Sequence, residues 1–95
     1  MAEPLRLYGL KALVINAATG VGEAVSRTLV KHGATVLAVD TINSGVEQHF
    51  KAVKGIHGHV ASFTDATRMP ALIEEALDKL GGIDILVNDF PIAGD

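Results

Sequence analysis

The sequence contains no cysteine, no tryptophan and only 4% aromatic residues. Without cysteine it has no disulfide, no thiolate nucleophile and no cysteine-based zinc site, which leaves a reducing compartment as the default. Met1–Pro4 lacks the basic start of a signal peptide, and no apolar run approaches the length that spans a bilayer. We therefore expect a cytoplasmic protein without a membrane segment.

An excess of positive charge is also missing. The 8 basic and 11 acidic residues give a net charge of −3, and the basic residues form no cluster. A protein that binds nucleic-acid phosphates needs such a cluster, so we expect no nucleic-acid partner. Hydrophobic residues, mostly aliphatic, make up 48% of the 95 residues, as in a globular chain whose strands are covered on both faces. Length and composition predict a single domain over residues 1–95.

Short aliphatic runs alternate with segments of helical period along the chain. The runs predict strands at 10–15, 35–39, 56–61 and 83–87, and Gly58 weakens the third of these predictions. The order β-α-β-α-β-α-β predicts parallel strands joined by helical crossovers. Right-handed crossovers favour an α/β fold with a Rossmann-like, doubly wound sheet of four strands in the order 3-2-1-4.

The first two helices have recognisable boundaries in the sequence. We expect the first helix to follow a turn of small residues at 16–22 and to end before Gly33. Ser44 and Glu47 have the spacing of a capping box, in which each side chain accepts a hydrogen bond from the other residue's backbone N–H. This pattern predicts a second helix that begins at Ser44 and continues to Gly55.

The start of the third helix is ambiguous. Asp65 and Thr67 are both candidate N-cap residues. With Asp65 as the cap, Pro70 would lie past the first turn and remove a needed N–H, whereas with Thr67 it lies inside the first turn at little cost. We favour the later start and expect the helix to end at Gly81.

The turn that follows the first strand is the most informative feature of the sequence. Asn16–Gly22 consists of small residues, with Gly20 and Gly22 at the mouth of the helix. Such a turn lets the backbone approach a diphosphate, which the free N–H groups and partial positive charge of a helix N-terminus attract. The turn does not match G-x-G-x-x-G, because Val25 replaces the third glycine. A tight turn that only packs the helix on the sheet is the alternative.

Asp40 at the end of the second strand supports the dinucleotide interpretation. It follows Gly22 by about the distance at which an acid reaches the ribose 2′-hydroxyl of a dinucleotide. A carboxylate accepts hydrogen bonds from a free diol and repels a 2′-phosphate, and neither Thr19 nor Thr41 is a cation that would hold that phosphate. We therefore predict NAD in preference to NADP. A solvated loop acid is the alternative for Asp40.

The residues that form this turn resemble a known family. Residues 15–22, I-N-A-A-T-G-V-G, are similar to the phosphate loop T-G-x-x-x-G-x-G of the short-chain dehydrogenases/reductases. Both later glycines are kept, while Ile15 and Asn16 replace the threonine and the first glycine. Asn tolerates the left-handed backbone that a glycine adopts, so we expect the turn to form. The Asn16 side chain would crowd the diphosphate, and we expect weakened binding.

Two further segments carry the resemblance, which runs from about residue 7 to residue 88. Residues 83–88, I-D-I-L-V-N, resemble the family's fourth strand, which leads into the motif N-N-A-G. Asn88 is the one residue of that motif that this sequence keeps. The resemblance implies that it borders the nicotinamide-side ribose. Ser62 stands where the family has an aspartate that contacts the adenine. The cofactor-binding residues implied together are Asn16, Ala18, Thr19, Gly20, Val21, Gly22, Asp40, Ser62 and Asn88.

The resemblance implies the cofactor-binding part of an NAD-dependent oxidoreductase. Members of the family are typically more than twice this length, and their catalytic Ser, Tyr and Lys follow the fourth strand. The single tyrosine of this sequence, Tyr8, precedes the first strand and cannot replace the catalytic one. We therefore expect a truncated, dinucleotide-binding domain without catalytic residues, which does not transfer hydride alone.

The two histidines of the third strand are a weaker candidate site. His57 and His59 are two residues apart, so their side chains share one face of the strand. Two imidazoles are half of a metal site, but the sequence offers no third ligand in a matching position. We predict no metal and expect the pair to face a helix or solvent.

The predicted strand order leaves the third and fourth strands as bare edges, with one sheet face covered only in part. Exposed apolar area of this kind predicts a homo-oligomer that forms through the open face or the edge strands. Three hypotheses for the function remain. The chain is the cofactor-binding half of a short-chain dehydrogenase, a stand-alone nucleotide-binding or regulatory module, or an α/β interaction domain whose glycine turn serves packing alone.

Overall fold

The computed structural model describes residues 7–18, 20–61 and 66–88. Within these residues four strands alternate with three helices, and a short 3-10 helix at Ala66–Arg68 leads directly into the last helix. The strands are β1 (Lys11–Ile15), β2 (Thr35–Asp40), β3 (Ile56–Val60) and β4 (Ile85–Asn88), and the helices are α1 (Gly20–Lys31), α2 (Val46–His49) and α3 (Met69–Leu80). Each strand lies within two residues of its predicted bounds.

The strands form one parallel sheet in the order β3-β2-β1-β4. In the register, Ala12 of β1 pairs with Val36 of β2 on one side and with Ile85 of β4 on the other. This arrangement confirms the predicted Rossmann-like α/β fold and its strand order. In such a sheet the carboxyl ends of β1 and β2 lie side by side, at the edge where α/β proteins bind ligands.

The core has two layers, one on each face of the sheet. Alternate side chains of the central strands point to opposite faces, as the period of a strand requires. On one face the sheet packs against α1 and α2, through residues that include Ala12, Val14, Val36, Ala38, Val46 and Phe50. On the other face it packs against α3, through Leu13, Ile15, Leu37, Val39, Leu72, Ala76 and Leu80.

The sequence pattern predicts that one face of the sheet, the face that packs against α3, is covered only in part. For the central strands this prediction is wrong. Leu13 and Leu37, on that face, have no exposed area. Exposed large apolar side chains on this side are Leu77 of α3 and Leu86 of β4, with 45% and 53% of their surface accessible. Among the described residues, the large apolar side chains exposed on this face therefore belong to α3 and β4.

The second helix is much shorter than its sequence pattern predicts. α2 begins after Gly45, and the predicted capping box with Glu47 does not form. The backbone N–H of Ser44, which the box requires, donates to the Thr41 carbonyl at 3.1 Å, and the Ser44 hydroxyl accepts from the N–H of Val46 at 3.1 Å. Ser44 thus closes a turn after β2 in place of capping a long helix.

Gly58, which weakened the strand prediction, is the point where α2 lies against β3. A Cβ at this position would come within 2.7 Å of both the Glu47 Cα and the Val46 carbonyl oxygen. Real Cβ atoms do not approach backbone so closely, so this strand position requires glycine.

The third helix begins at Met69, with Arg68 as its N-cap and Pro70 in its first turn. This start confirms the later of the two predicted alternatives, although the cap is one residue beyond Thr67; Asp65 lies outside the described residues. At the other end the Lys11 ammonium donates to the Leu80 carbonyl at 2.8 Å, which joins α3 to the start of β1. No helix within residues 7–18, 20–61 and 66–88 is long and apolar enough to cross a membrane.

Candidate functional site

The turn between β1 and α1 is hydrogen-bonded to the end of β2. The backbone N–H groups of Asn16 and Ala17 both donate to the Val39 carbonyl, at 2.8 and 3.1 Å. The next N–H along the chain, that of Ala18, donates to the Asp40 carboxylate at 2.9 Å. Successive amides of the turn are therefore held by the last two residues of the neighbouring strand.

The backbone of this turn has the conformation that its residues predict. Asn16 has a φ of 67°, which confirms the expectation that asparagine adopts a left-handed backbone at this position. Gly20 has a φ of 63°. A Cβ added to Gly20 would meet no described atom within 4 Å. Glycine is thus favoured at position 20 by its backbone conformation, and the space beside it is open.

The N-terminus of α1 lies at this open space. The first N–H groups of a helix have no partner within the helix and carry a partial positive charge, which attracts anions. Val21, in the first turn, is 62% exposed. The mouth of α1 thus provides the electrostatic environment that a diphosphate requires.

A carboxylate in the first turn of α1, that of Glu23, is hydrogen-bonded to two neighbouring side chains. Glu23 accepts hydrogen bonds from His49 at 2.8 Å and from Arg27 at 3.1 Å. Both hydrogen bonds lower the pKa of Glu23 below its ordinary value, and the bond from His49 has the larger effect. Arg27 also lies over the Phe50 ring, 5.3 Å from its centre. This cluster was not predicted; the four-residue spacing of Glu23 and Arg27 is its only sequence signal.

Asp40 is buried at the end of β2, with 5% of its surface exposed. One carboxylate oxygen accepts the Ala18 N–H and the other accepts the Thr41 N–H at 2.7 Å. A carboxylate has about four lone-pair directions, so acceptor capacity remains for a ligand. Such burial excludes the alternative of a solvated loop acid, and the acid points toward the turn at the carboxyl edge of the sheet.

The other predicted site residues are distributed as follows. Asn88 is the last residue of β4 and pairs with Ile15 of β1, which places it at the same sheet edge as the turn. Ala18 is buried beneath the turn. Thr19 and Ser62 lie outside the described residues. Within the described part, the fold brings Asn16, Ala18, Gly20, Val21, Gly22, Asp40 and Asn88 to one edge of the sheet.

The two strand histidines share the face that packs against α3. His57 pairs with Leu37 and His59 with Val39, whose side chains lie on that face. The His59 Nε2 lies 3.3 Å from the Glu75 carboxylate, but it is buried without hydrogen-bond geometry to any described residue. Within the described ranges, no three His, Cys, Asp or Glu residues form a group that could hold a metal ion.

Comparison with known proteins identifies relatives that match most of the chain. The family model for short chain dehydrogenases matches residues 11–93. The 3-oxoacyl-[acyl-carrier-protein] reductase FabG of Thermotoga maritima is 33% identical over 95 aligned positions, and the alignment covers 96% of this chain and 39% of that protein. The oxidoreductase UcpA of Escherichia coli is 37% identical over 89 aligned positions, and the alignment covers 88% of this chain and 33% of that protein.

Solved structures give the same result. A 3-ketoacyl-(acyl-carrier-protein) reductase from Brucella melitensis, complexed with NADH, superposes with a TM-score of 0.74 at 32% identity, covering 84% of this chain and 33% of that one. A hydroxysteroid dehydrogenase from Escherichia coli superposes with a TM-score of 0.78 at 28% identity, covering 88% of this chain and 36% of that one. The chain spans about a third of the length of the relatives it matches, in their N-terminal region.

Proposed function

The chain belongs to the short-chain dehydrogenase family, and on that premise we propose that it is the NAD-binding portion of an oxidoreductase. Proteins of this family bind nicotinamide dinucleotides. The observation that carries the proposal is the juxtaposition of the Asp40 carboxylate with the β1–α1 turn, through the 2.9 Å hydrogen bond from the Ala18 N–H. An acid at the end of β2 beside a phosphate turn is the arrangement that binds ribose and diphosphate together.

Each predicted site residue has a proposed role in this cofactor site. The turn from Ala18 to Gly22, which includes Thr19, binds the diphosphate at the mouth of α1. Asp40 accepts hydrogen bonds from the adenine-side ribose, Ser62 lies at the adenine and Asn88 at the nicotinamide-side ribose. Asn16 adds a side chain where the family has a glycine, so the affinity is lower than with glycine at that position.

The proposed cofactor is NAD rather than NADP. A buried carboxylate at Asp40 repels the 2′-phosphate of NADP and accepts hydrogen bonds from the diol of NAD. The residues that follow it, Thr41–Gly45, include no lysine or arginine to neutralise that phosphate. We expect NAD to bind roughly tenfold or more tightly than NADP, a difference of at least ~1.4 kcal/mol.

Hydride transfer requires groups that we do not assign to this chain. In the family a tyrosine acts as general acid and base, whereas Tyr8 here precedes β1 and is 79% exposed. The proposed contribution of residues 1–95, as one dinucleotide-binding domain, is to bind and orient the cofactor. We expect no dehydrogenase activity from these residues alone.

Calorimetric titration with NAD, NADP and AMP tests the proposal. We expect NAD and AMP to bind, NADP to bind more weakly, and Asp40→Arg to abolish NAD binding because a cation cannot accept the ribose hydrogen bonds. Asp40→Asn is the smaller change if the arginine variant does not fold. Asp78→Arg makes the same change of charge on the exposed side of α3 and is the matched control.

The titration also separates the remaining hypotheses. Absence of any nucleotide binding at millimolar ligand would overturn the proposal and favour the α/β interaction domain. Binding of AMP as tight as that of NAD would favour a nucleotide-sensing module, because the nicotinamide half would then contribute nothing.

Self-association and a cytoplasmic location stay predictions. Among the described residues, Leu77 and Leu86 are the large apolar side chains exposed on the α3 side of the sheet, and a second copy of the chain is the predicted occupant. Leu86→Lys would then shift the sedimentation coefficient toward that of the monomer. A monomer peak for the unmodified chain at micromolar concentration would contradict the prediction.

A further inference from the structure

The Asp40 side chain is hydrogen-bonded to the backbone of the β1–α1 turn. Its carboxylate accepts the N–H of Ala18, a residue 22 positions earlier in the chain, and both residues are buried. The second carboxylate oxygen accepts the N–H of Thr41, which fixes the orientation of the side chain. The group that is proposed to bind the ribose therefore also bonds to the backbone of the diphosphate turn.

The position of Ala18 in the turn makes this hydrogen bond important. The preceding amides, those of Asn16 and Ala17, are bonded to the Val39 carbonyl of β2, and α1 begins at Gly20. Ala18 lies between these two anchored segments. A peptide unit is planar, so a bond that fixes its N–H fixes the direction of the whole unit. Asp40 thus orients the Ala17–Ala18 peptide, at the start of the segment from Ala18 to Gly22 that is proposed to bind the diphosphate.

We propose that Asp40 is a positioning residue for the diphosphate turn, in addition to its proposed contact with the ribose. This inference rests on the proposed function, and it adds that diphosphate binding depends on Asp40 even when the ligand has no sugar. Occupancy of the ribose subsite and the conformation of the turn are then coupled through one carboxylate.

Electrostatics and positioning predict opposite results when Asp40 is removed. Asp40 carries a buried negative charge close to the mouth of α1, so on charge alone its removal would strengthen the binding of any anion. If Asp40 positions the turn, its removal weakens the binding of the same anion, because the Ala17–Ala18 peptide is then free to rotate. The sign of the change therefore distinguishes the two roles.

Inorganic pyrophosphate is the probe for this experiment, because it has no ribose with which Asp40 could interact. We expect Asp40→Ala to weaken pyrophosphate binding roughly threefold to tenfold, as for the loss of one buried hydrogen bond. Asp40→Asn keeps one acceptor oxygen and is expected to lose less. Asp78→Ala, on the exposed side of α3, is the control for the change in net charge. Unchanged or tighter binding of pyrophosphate to Asp40→Ala would overturn the inference.

Amide hydrogen exchange of the ligand-free chain provides a second readout that needs no ligand. We expect Asp40→Ala to accelerate exchange at Ala18 relative to Ala17, whose N–H stays bonded to the Val39 carbonyl. General destabilisation accelerates both amides alike and leaves their ratio constant, which would contradict a positioning role. If the unmodified chain binds neither NAD nor pyrophosphate, the proposed function fails, and the exchange ratio alone still decides whether Asp40 fixes the turn.

Discussion

Gly22 lies directly against the carbonyl of Asn16, so that a Cβ on Gly22 would overlap the Asn16 carbonyl oxygen and approach the Ala17 Cα to 3.0 Å. The first turn of α1 therefore crosses the β1–α1 turn at backbone contact distance. This contact explains why the chain keeps the family's glycine at position 22, although asparagine replaces the family's glycine at position 16. Position 16 requires a left-handed conformation, which asparagine adopts, whereas position 22 requires the absence of a side chain.

Gly22→Ala is expected to lower the free energy of unfolding by roughly 1–3 kcal/mol, the usual cost of adding a methyl group to a filled site. Chemical denaturation followed by circular dichroism measures the change. Gly82→Ala is the matched control, because an added Cβ there meets no atom within 4 Å. Equal effects of the two substitutions would contradict the close contact at Gly22.

Asn16→Gly is expected to strengthen NAD binding several-fold, because it removes a side chain beside the proposed diphosphate position. The free energy of unfolding should change by less than about 1 kcal/mol, since relief of the left-handed strain offsets the greater freedom of glycine in the unfolded chain. Asn16→Ala separates the two effects, because it shortens the side chain and keeps the strain at a φ of 67°. Calorimetric titration of the three proteins with NAD measures the affinities, and weaker binding by the glycine variant would refute the crowding argument.

His59→Leu is expected to stabilise the fold by about 1 kcal/mol, because it removes a buried ring nitrogen that has no hydrogen-bond partner among the described residues. The 3.3 Å approach of Glu75 gives little compensation, since that carboxylate is 50% exposed and not aligned for a hydrogen bond. His57→Leu, at an exposed position of the same strand, is expected to leave the melting temperature unchanged. A lower melting temperature for His59→Leu would mean that its contact with Glu75 is stabilising.

The Glu23 cluster makes the stability of the α1–α2 contact depend on pH. Hydrogen bonds from His49 and Arg27 lower the pKa of Glu23 below its ordinary value, so the folded state favours the ionised carboxylate more than the unfolded state does. The resulting stabilisation is complete above about pH 5 and is lost as the pH falls through the lowered pKa.

The melting temperature of Glu23→Gln, measured against that of the unmodified chain between pH 3 and pH 6, tests this dependence. We expect the difference between the two proteins to be largest at the upper end of the range and to shrink toward the lower end. Glu74→Gln, on the exposed side of α3, controls for the general effect of removing a carboxylate. A difference that stays constant with pH would exclude a role for Glu23 ionisation.

The strands and the position of the turn could be predicted because their signals are local, and the sheet order could be predicted from the handedness of parallel crossovers. The aliphatic runs mark the strands, and the conformational preference of asparagine is enough to predict the backbone at Asn16. The length of α2 could not be predicted, because the capping-box pattern does not reveal that the Ser44 N–H bonds to Thr41 instead. The location of Asp40 follows from its spacing, but its bond to Ala18 does not, since that contact exists only after β1 and β2 pair.

The bond from the Lys11 ammonium to the Leu80 carbonyl lies at the amino edge of the sheet, about one strand length, or roughly 16 Å, from the edge that carries Asp40. Asp84 reinforces the same edge by accepting the Lys11 backbone N–H at 2.8 Å. The hydrogen bonds of Lys11 and the proposed ligand contacts thus lie at opposite ends of the strands. A fluorescent label or a surface tether attached at the exposed Tyr8 would therefore lie on the side of the amino edge and leave the proposed nucleotide site at the carboxyl edge accessible.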